Sequence, residues 1–175
     1  VDCVSECYGC QGGLMHLAMN YIANKANGVV DTEASYPYHA TRRTCEIDSH
    51  DKAVDNVVGY DLYCNQFAED NTPKKCDEDK MRQAVFDKGI LPIALNAELL
   101  QFYMGGIVGT WMPCGAQIDH GVAIVGWGQE GSHPFWIVRN SWGSGWGESG
   151  YFRILRGHGT CGINTYAVHA KIGGK

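Results

Sequence analysis

The stretch Asp119-His120-Gly121-Val122-Ala123-Ile124-Val125-Gly126-Trp127-Gly128 sets one polar pair at the mouth of an apolar run. The β-branched Val122, Ile124 and Val125 with small Ala123 read as a strand over residues 121–127 covered on both faces. Gly126 and Gly128 leave room for another backbone to come close. His120 is the residue this strand presents. A second strand, Phe135-Trp136-Ile137-Val138-Arg139, follows directly and ends in Asn140-Ser141-Trp142-Gly143, which delivers an amide and an indole where a loop begins. A histidine on one strand end, with an asparagine arriving from the next strand, is a layout for a nucleophile's base and its orienter. The amide oxygen accepts from one ring N–H, which leaves the other ring nitrogen to exchange a proton with an attacking thiol. The competing reading is a wall histidine beside an asparagine that caps a turn.

The extended text decides between them. Asp119-His120-Gly121, Gly126-Trp127-Gly128, Asn140-Ser141-Trp142-Gly143 and Gly145-Trp146-Gly147-Glu148 together resemble the His and Asn regions of the papain-like cysteine peptidases. Val1-Asp2-Cys3 through Cys10-Gln11-Gly12-Gly13-Leu14-Met15 is similar to the family's Val-Asp-Cys…Gly-Cys-x-Gly-Gly segment, and Tyr36-Pro37-Tyr38 to its Tyr-Pro-Tyr turn. The resemblance covers nearly the whole chain, yet only about the C-terminal three-quarters of a family catalytic domain. It implies an α+β, two-lobed papain-like fold with its N-terminal part missing. Residues 1–56 would be the remainder of a helical left lobe, 57–166 an antiparallel β-barrel right lobe, and 167–175 a tail returning toward the left lobe.

Composition is compatible with that fold. At 175 residues and 45% hydrophobic the chain can form a core. A net charge of −5 and pI near 5.7 argue against a nucleic-acid binder. No apolar run approaches the roughly 20 residues that span a bilayer. With no initiator Met, signal peptide or targeting segment, the chain reads as a processed or truncated piece. Eight cysteines, mostly on long spacers, suggest an oxidising compartment: lysosomal, vacuolar or secreted. Cys3, Cys7 and Cys10 invite a zinc reading. A structural site needs four ligands, and only Cys45 and scattered histidines remain to complete it, so neither a metal nor another cofactor is expected.

Along the chain, Leu14, Leu17, Ala18, Tyr21 and Ile22 recur at helical spacing, and Gly28 stops the run. Val29 to Asp31 is a short extended piece, and Val54, Val57, Val58 and Tyr60 mark a strand. Cys64 and Cys76 bracket a hydrophilic insertion and read as a pair closing a surface loop. Residues 77–88 form a helix with Asp77 as N-cap and Gly89 as stop. Ile90 to Leu95 is a strand whose Pro92 suggests an edge or an unpaired N–H. Residues 150–155 alternate as a further strand.

By the resemblance, Cys3 bonds to Cys45, Cys114 to Cys161, and Cys10 to a cysteine outside this chain. His120 and Asn140 are the catalytic residues implied, with Trp142 lying over their contact and Asp119 tuning the electrostatics nearby. Gly12 and Gly13 would receive an extended peptide as an added strand. Leu14, Met15, Ala94, Ile118 and Tyr166 would line the specificity pocket. Tyr166 at its base favours medium apolar side chains at the second residue before the cleaved bond. The nucleophile is missing. The family cysteine lies roughly 130–150 residues before the histidine, whereas His120 has 119 residues ahead of it. Cys7 precedes an aromatic residue but lacks the family's Gly and a helix N-terminus to acidify it. The oxyanion-stabilising Gln also falls upstream. The implied function is a thiol peptidase whose heavy portion is this chain, inactive alone. Its partners are an N-terminal segment carrying the nucleophile, peptide or protein substrates and the family's protein inhibitors. The alternative is a catalytically inactive relative or fragment kept for binding or architecture.

Overall fold

The computed structural model describes residues 1–47, 52–54, 56–115 and 117–174. The elements run α1 (Met15–Asn24), β1 (Val30–Asp31), β2 (Lys52–Val54), β3 (Val57–Asn65), α2 (Glu78–Lys88), β4 (Leu91–Leu95), β5 (Ile107–Val108), β6 (His120–Glu130), β7 (His133–Arg139), β8 (Tyr151–Leu155) and β9 (Tyr166–Ile172). The chain divides into two compact units, one of Val1–Asp61 with Ala170–Lys175, the other Leu62–His169. One sheet has the order β3-β9-β4-β6-β7-β8-β5, and a small second sheet pairs β1 with β2. The large sheet is antiparallel at β4·β6, β6·β7 and β7·β8, and parallel where β5 meets β8.

In the first unit α1 starts from Leu14, whose extended backbone offers no side-chain cap. It closes with Ala26 N–H donating to Tyr21 and Gly28 N–H to Ile22. Gly28 sits at φ 76°, and a Cβ there would lie 2.7 Å from the Val57 carbonyl, so glycine is required on both counts. Leu14, Leu17, Ala18 and Ile22 are only half-buried, and α1 buries no residue fully. Ala26, Val29 and Val57 are the unit's buried hydrophobic residues among those described. Cys3 is bonded to Cys45. Asp2 ties the same region together by accepting from Arg43 N–H at 2.8 Å and the Tyr36 hydroxyl at 2.9 Å. Those bonds hold its carboxyl below the ordinary range. The pairing of Lys52–Val54 with β1 was not legible in the sequence, since all three residues face solvent.

The second unit holds the core. Ile93 and Leu95 of β4, Ile124 of β6, Trp136 and Val138 of β7, Phe152 and Ile154 of β8 and Ala167 of β9 are all fully buried. α2 lays Met81, Ala84 and Val85 against it. Asp77 caps that helix by accepting from Asp79 N–H at 2.8 Å, and Gly89 ends it at φ 88°. Buried Glu78 accepts from Trp136 Nε1–H at 2.7 Å and from the N–H groups of Gly157 and Gly159 at 2.9 and 2.7 Å. Cys64 is bonded to Cys76 and Cys114 to Cys161.

Three expectations are corrected here. β6 is not covered on both faces: Val122 and Ile124 are buried while Ala123 and Val125 are partly open, and the register with β7 shifts between Ile124 and Gly126. Gly128 makes room for a ring rather than a backbone, because a Cβ there would fall 2.5 Å from Phe135 Cζ. β4 is an interior strand between β9 and β6. That excludes the edge alternative for Pro92 and leaves the other, a position that needs no ladder N–H, in keeping with a register in which β4 meets β9 at Ile93↔Ala167.

Candidate active site

β4 and β6 pair from Leu91↔Ile124 to Leu95↔His120, so His120 is the first residue of its strand and emerges at the sheet's end. β6 and β7 pair at Ala123↔Arg139, and Asn140 follows immediately on β7. That register makes His120 and Asn140 diagonal neighbours on one face, within reach of each other's side chains. His120 Nε2 lies 2.8 Å from Asn140 Oδ1, and the Ser141 N–H donates to the same oxygen at 2.8 Å. A backbone N–H requires an acceptor, so the atom facing the ring is the amide oxygen and not its nitrogen. It follows that Nε2 carries a proton and donates it to that oxygen, and that in the neutral ring the lone pair is on Nδ1.

Asn140 is 8% exposed and its backbone N–H is held by Gly150 at 2.9 Å. Its Nδ2 is buried with no hydrogen-bond partner among the described residues. Trp142 lies beside the imidazole with ring centroids 4.9 Å apart and an interplanar angle of 30°. Trp146 meets Trp142 edge-on at 5.0 Å and donates its own Nε1–H to Leu100 at 3.2 Å. The ring is not sealed in. A groove of about 340 Å³ lies in front of it, lined by Ala97, Glu98, Gln101, Asp119, His120 and Trp142. A half-buried imidazole with a fixed tautomer and one open nitrogen can take a proton from a thiol and return it to an amine.

The loop before His120 is pinned through Asp119 by Asn96 and Ala97, two residues the sequence did not single out. Asp119 accepts from Ala97 N–H at 2.8 Å and from Asn96 Nδ2 at 3.3 Å. Buried Asn96 also donates to the Gln117 carbonyl at 2.8 Å and accepts from Gly115 N–H at 3.0 Å. Asp119 borders the groove, but both its carboxylate oxygens serve this web. Its clearest contribution is to fix where β6 begins. A buried asparagine at the end of a strand was the available signal.

The other sequence-named residues are spread more widely. Gly12 (φ 105°) spends its N–H on Gly9 and its C=O on Tyr8 within a tight turn. Gly13 therefore carries the exposed backbone edge. Leu14 and Met15 are half-buried at the start of α1. Ala94 in β4 is half-buried, as is Ile118, whose methyl packs toward Gly162. Tyr166 is 1% exposed and belongs to the buried set of β9. Cys7 and Cys10 are free, the first half-buried and the second exposed. Among the described residues no cluster of His, Cys, Asp and Glu is placed to hold a metal ion.

The sequence matches the family model of papain family cysteine proteases over residues 1–171. It is 37% identical over 175 residues to cysteine proteinase A of Leishmania mexicana, covering 98% of this chain and 45% of that protein. Against fruit bromelain of Ananas comosus it is 38% identical over 168 residues, covering 93% of this chain and 43% of that protein. The chain thus spans about half the length of the curated relatives it matches. Its fold is similar to that of a digestive procathepsin L2 proteinase from Tenebrio molitor larval midgut, with TM-score 0.83, 34% identity, and coverage of 98% of this chain and 51% of that one. Bromelain in complex with the E64 inhibitor gives TM-score 0.82 at 31% identity, covering 98% of this chain and 75% of that one. On its matched length, its fold and these identities, the chain belongs to the papain family of cysteine proteases.

Proposed function

We propose that this chain is the base-bearing portion of a thiol peptidase, and that its nucleophile comes from a segment N-terminal to Val1. The observation that carries this reading is the His120 Nε2 to Asn140 Oδ1 contact at 2.8 Å, with Ser141 N–H fixing the amide's orientation. In the mechanism, His120 Nδ1 takes the proton of an incoming cysteine thiol. The thiolate attacks a peptide carbonyl, and the imidazolium returns the proton to the leaving amine. Asn140 holds the ring in one tautomer through both steps, and Trp142 shields that hydrogen bond from water. Gly13 offers the backbone edge for an extended substrate, and Met15, Ala94 and Ile118 select apolar side chains near the cleaved bond.

The state of the first unit supports an upstream partner. α1 presents Leu14, Leu17, Ala18 and Ile22 without burying any of them fully. A cavity of about 390 Å³ lined by Val1, Val4, Ala18, Ile22, Val29 and Tyr36 lies in the same unit. An apolar segment seated there would complete the core that α1 lacks. Substrates are peptides and proteins, inhibitors include the family's protein inhibitors and E64, with which bromelain forms a complex, and the compartment is lysosomal, vacuolar or secreted.

The test uses the full-length protein and the chain alone. Full-length material should cleave peptides, lose that activity to a thiol-alkylating reagent and become labelled by E64 at a cysteine upstream of Val1. Serine or glycine at the upstream position, with no turnover, would instead establish the inactive relative.

A further inference from the structure

The groove of about 340 Å³ in front of His120 has a charge character that proton transfer alone leaves unused. Its lining, all from the second unit, includes the carboxylates of Glu98 and Asp119 and no Lys or Arg. The two carboxylates are not equivalent. Asp119 gives one oxygen to Ala97 N–H at 2.8 Å and the other to Asn96 Nδ2 at 3.3 Å. Glu98 is exposed, and no ion pair or hydrogen bond from the described residues engages its carboxylate. A Cβ at Gly115 would fall 3.3 Å from Glu98 Oε2, so the carboxylate lies over the start of the loop that leads into β6. The backbone that carries it is held, because Gln101 Nε2 donates to the Glu98 carbonyl at 2.9 Å. In the same groove Trp142 stays 39% exposed, although its ring lies 4.9 Å from that of His120. An open indole and an uncompensated carboxylate together fit an ammonium or guanidinium carried on an apolar stem.

We propose that Glu98 makes the enzyme select lysine or arginine as the first residue after the cleaved bond. The proposal rests on the peptidase reading and adds a substrate class to it. The leaving amine takes its proton from His120, so the residue that carries this amine comes to rest against the imidazole. The groove is then the space its side chain enters. Glu98 pairs with the cation at the end of that side chain, and Trp142 covers the methylenes behind it. Glu98 touches no reacting atom; it decides which peptide is held there. The pair stays open to water, so the preference is moderate and weakens as salt is added.

The test uses full-length protein and internally quenched peptides that differ only in carrying lysine, leucine or glutamate directly after the cleaved bond. The lysine peptide should exceed the glutamate peptide in kcat/KM by about 10-fold and the leucine peptide by about 3-fold, the scale of an exposed ion pair joined to an indole contact. Glu98→Gln should remove most of that preference, and Glu98→Lys should reverse the order of lysine and glutamate. A substitution that only loosens the fold lowers all three rates alike. Equal rates on the lysine and glutamate peptides, or a preference that survives Glu98→Gln, overturn the proposal and leave the peptidase reading standing. No cleavage of any peptide overturns the peptidase reading instead, and calorimetry then decides on Glu98. Lys-Ala-amide should bind wild-type protein more tightly than Glu-Ala-amide, and Glu98→Gln should level the two; equal binding by the wild type overturns the proposal.

Discussion

His120 and Asn140 meet because one opens β6 and the other directly follows β7, and the β6·β7 register sets them diagonally on one face. Removing the amide frees the imidazole to rotate and to choose its tautomer. In full-length protein, Asn140→Ala should lower kcat/KM by about 10²-fold, the low end of the range for positioned acid–base groups, and His120→Ala by about 10⁴-fold. Stopped substrate assays across pH check both, and an Asn140→Ala enzyme with unchanged kcat would remove the orienting role. This pair was legible because strand-end polar residues stand out against β-branched neighbours. Asn96 was not, since its partners Gln117 and Asp119 lie more than twenty residues away in the loop before β6. The burial of Tyr166 was not legible for a related reason: spacing from Cys161 fixes its place along β9 but not its packing among the core residues.

Among the elements, α2 was the most legible, because Asp77, the Met81, Ala84 and Val85 face and Gly89 are all local signals. Asp77→Ala should cost about 1 kcal/mol by loss of the cap, read as a shift of the urea midpoint. Glu78 adjacent to it is different. Its carboxylate satisfies an indole N–H and two backbone N–H groups, so Glu78→Ala strands three donors and should cost about 3 kcal/mol or more. The insertion closed by Cys64–Cys76 adds roughly 3 kcal/mol in the chain-entropy model, measurable after replacing both cysteines. The β8 neighbourhood carries the clearest acid sensitivity. Arg153, bonded to both Glu148 oxygens at 2.9–3.2 Å, holds that carboxyl below its ordinary 4.5, with help from Gly106 N–H. A depressed folded value stabilises the fold fully above the unfolded value and loses that contribution as pH falls through the folded one. Wild-type stability should therefore fall below about pH 4.5, and Glu148→Gln should start lower and flatten that part of the curve.

At the scale of the molecule the two units differ in how far they are finished. Unit Leu62–His169 holds a continuous core through β4, β6, β7 and β8, while the unit containing α1 buries few hydrophobic residues. Amides of α1 should exchange with solvent faster than those of β6 and β7 in the isolated chain, and should slow when the upstream segment is present. The overall fold was legible from its motif text because His, Asn, Gly and Cys positions are fixed by backbone geometry that many sequences share. The weak burial of α1 was not, since a helical period reports a sticky face and not what covers it. The central claim is that the imidazole on β6 serves a thiol this chain does not carry. It is tested most directly by peptide turnover of the isolated chain beside full-length protein and its His120→Ala variant. The account predicts thiol-dependent turnover for the full-length protein alone; turnover by the isolated chain, or full turnover with His120→Ala, would contradict it.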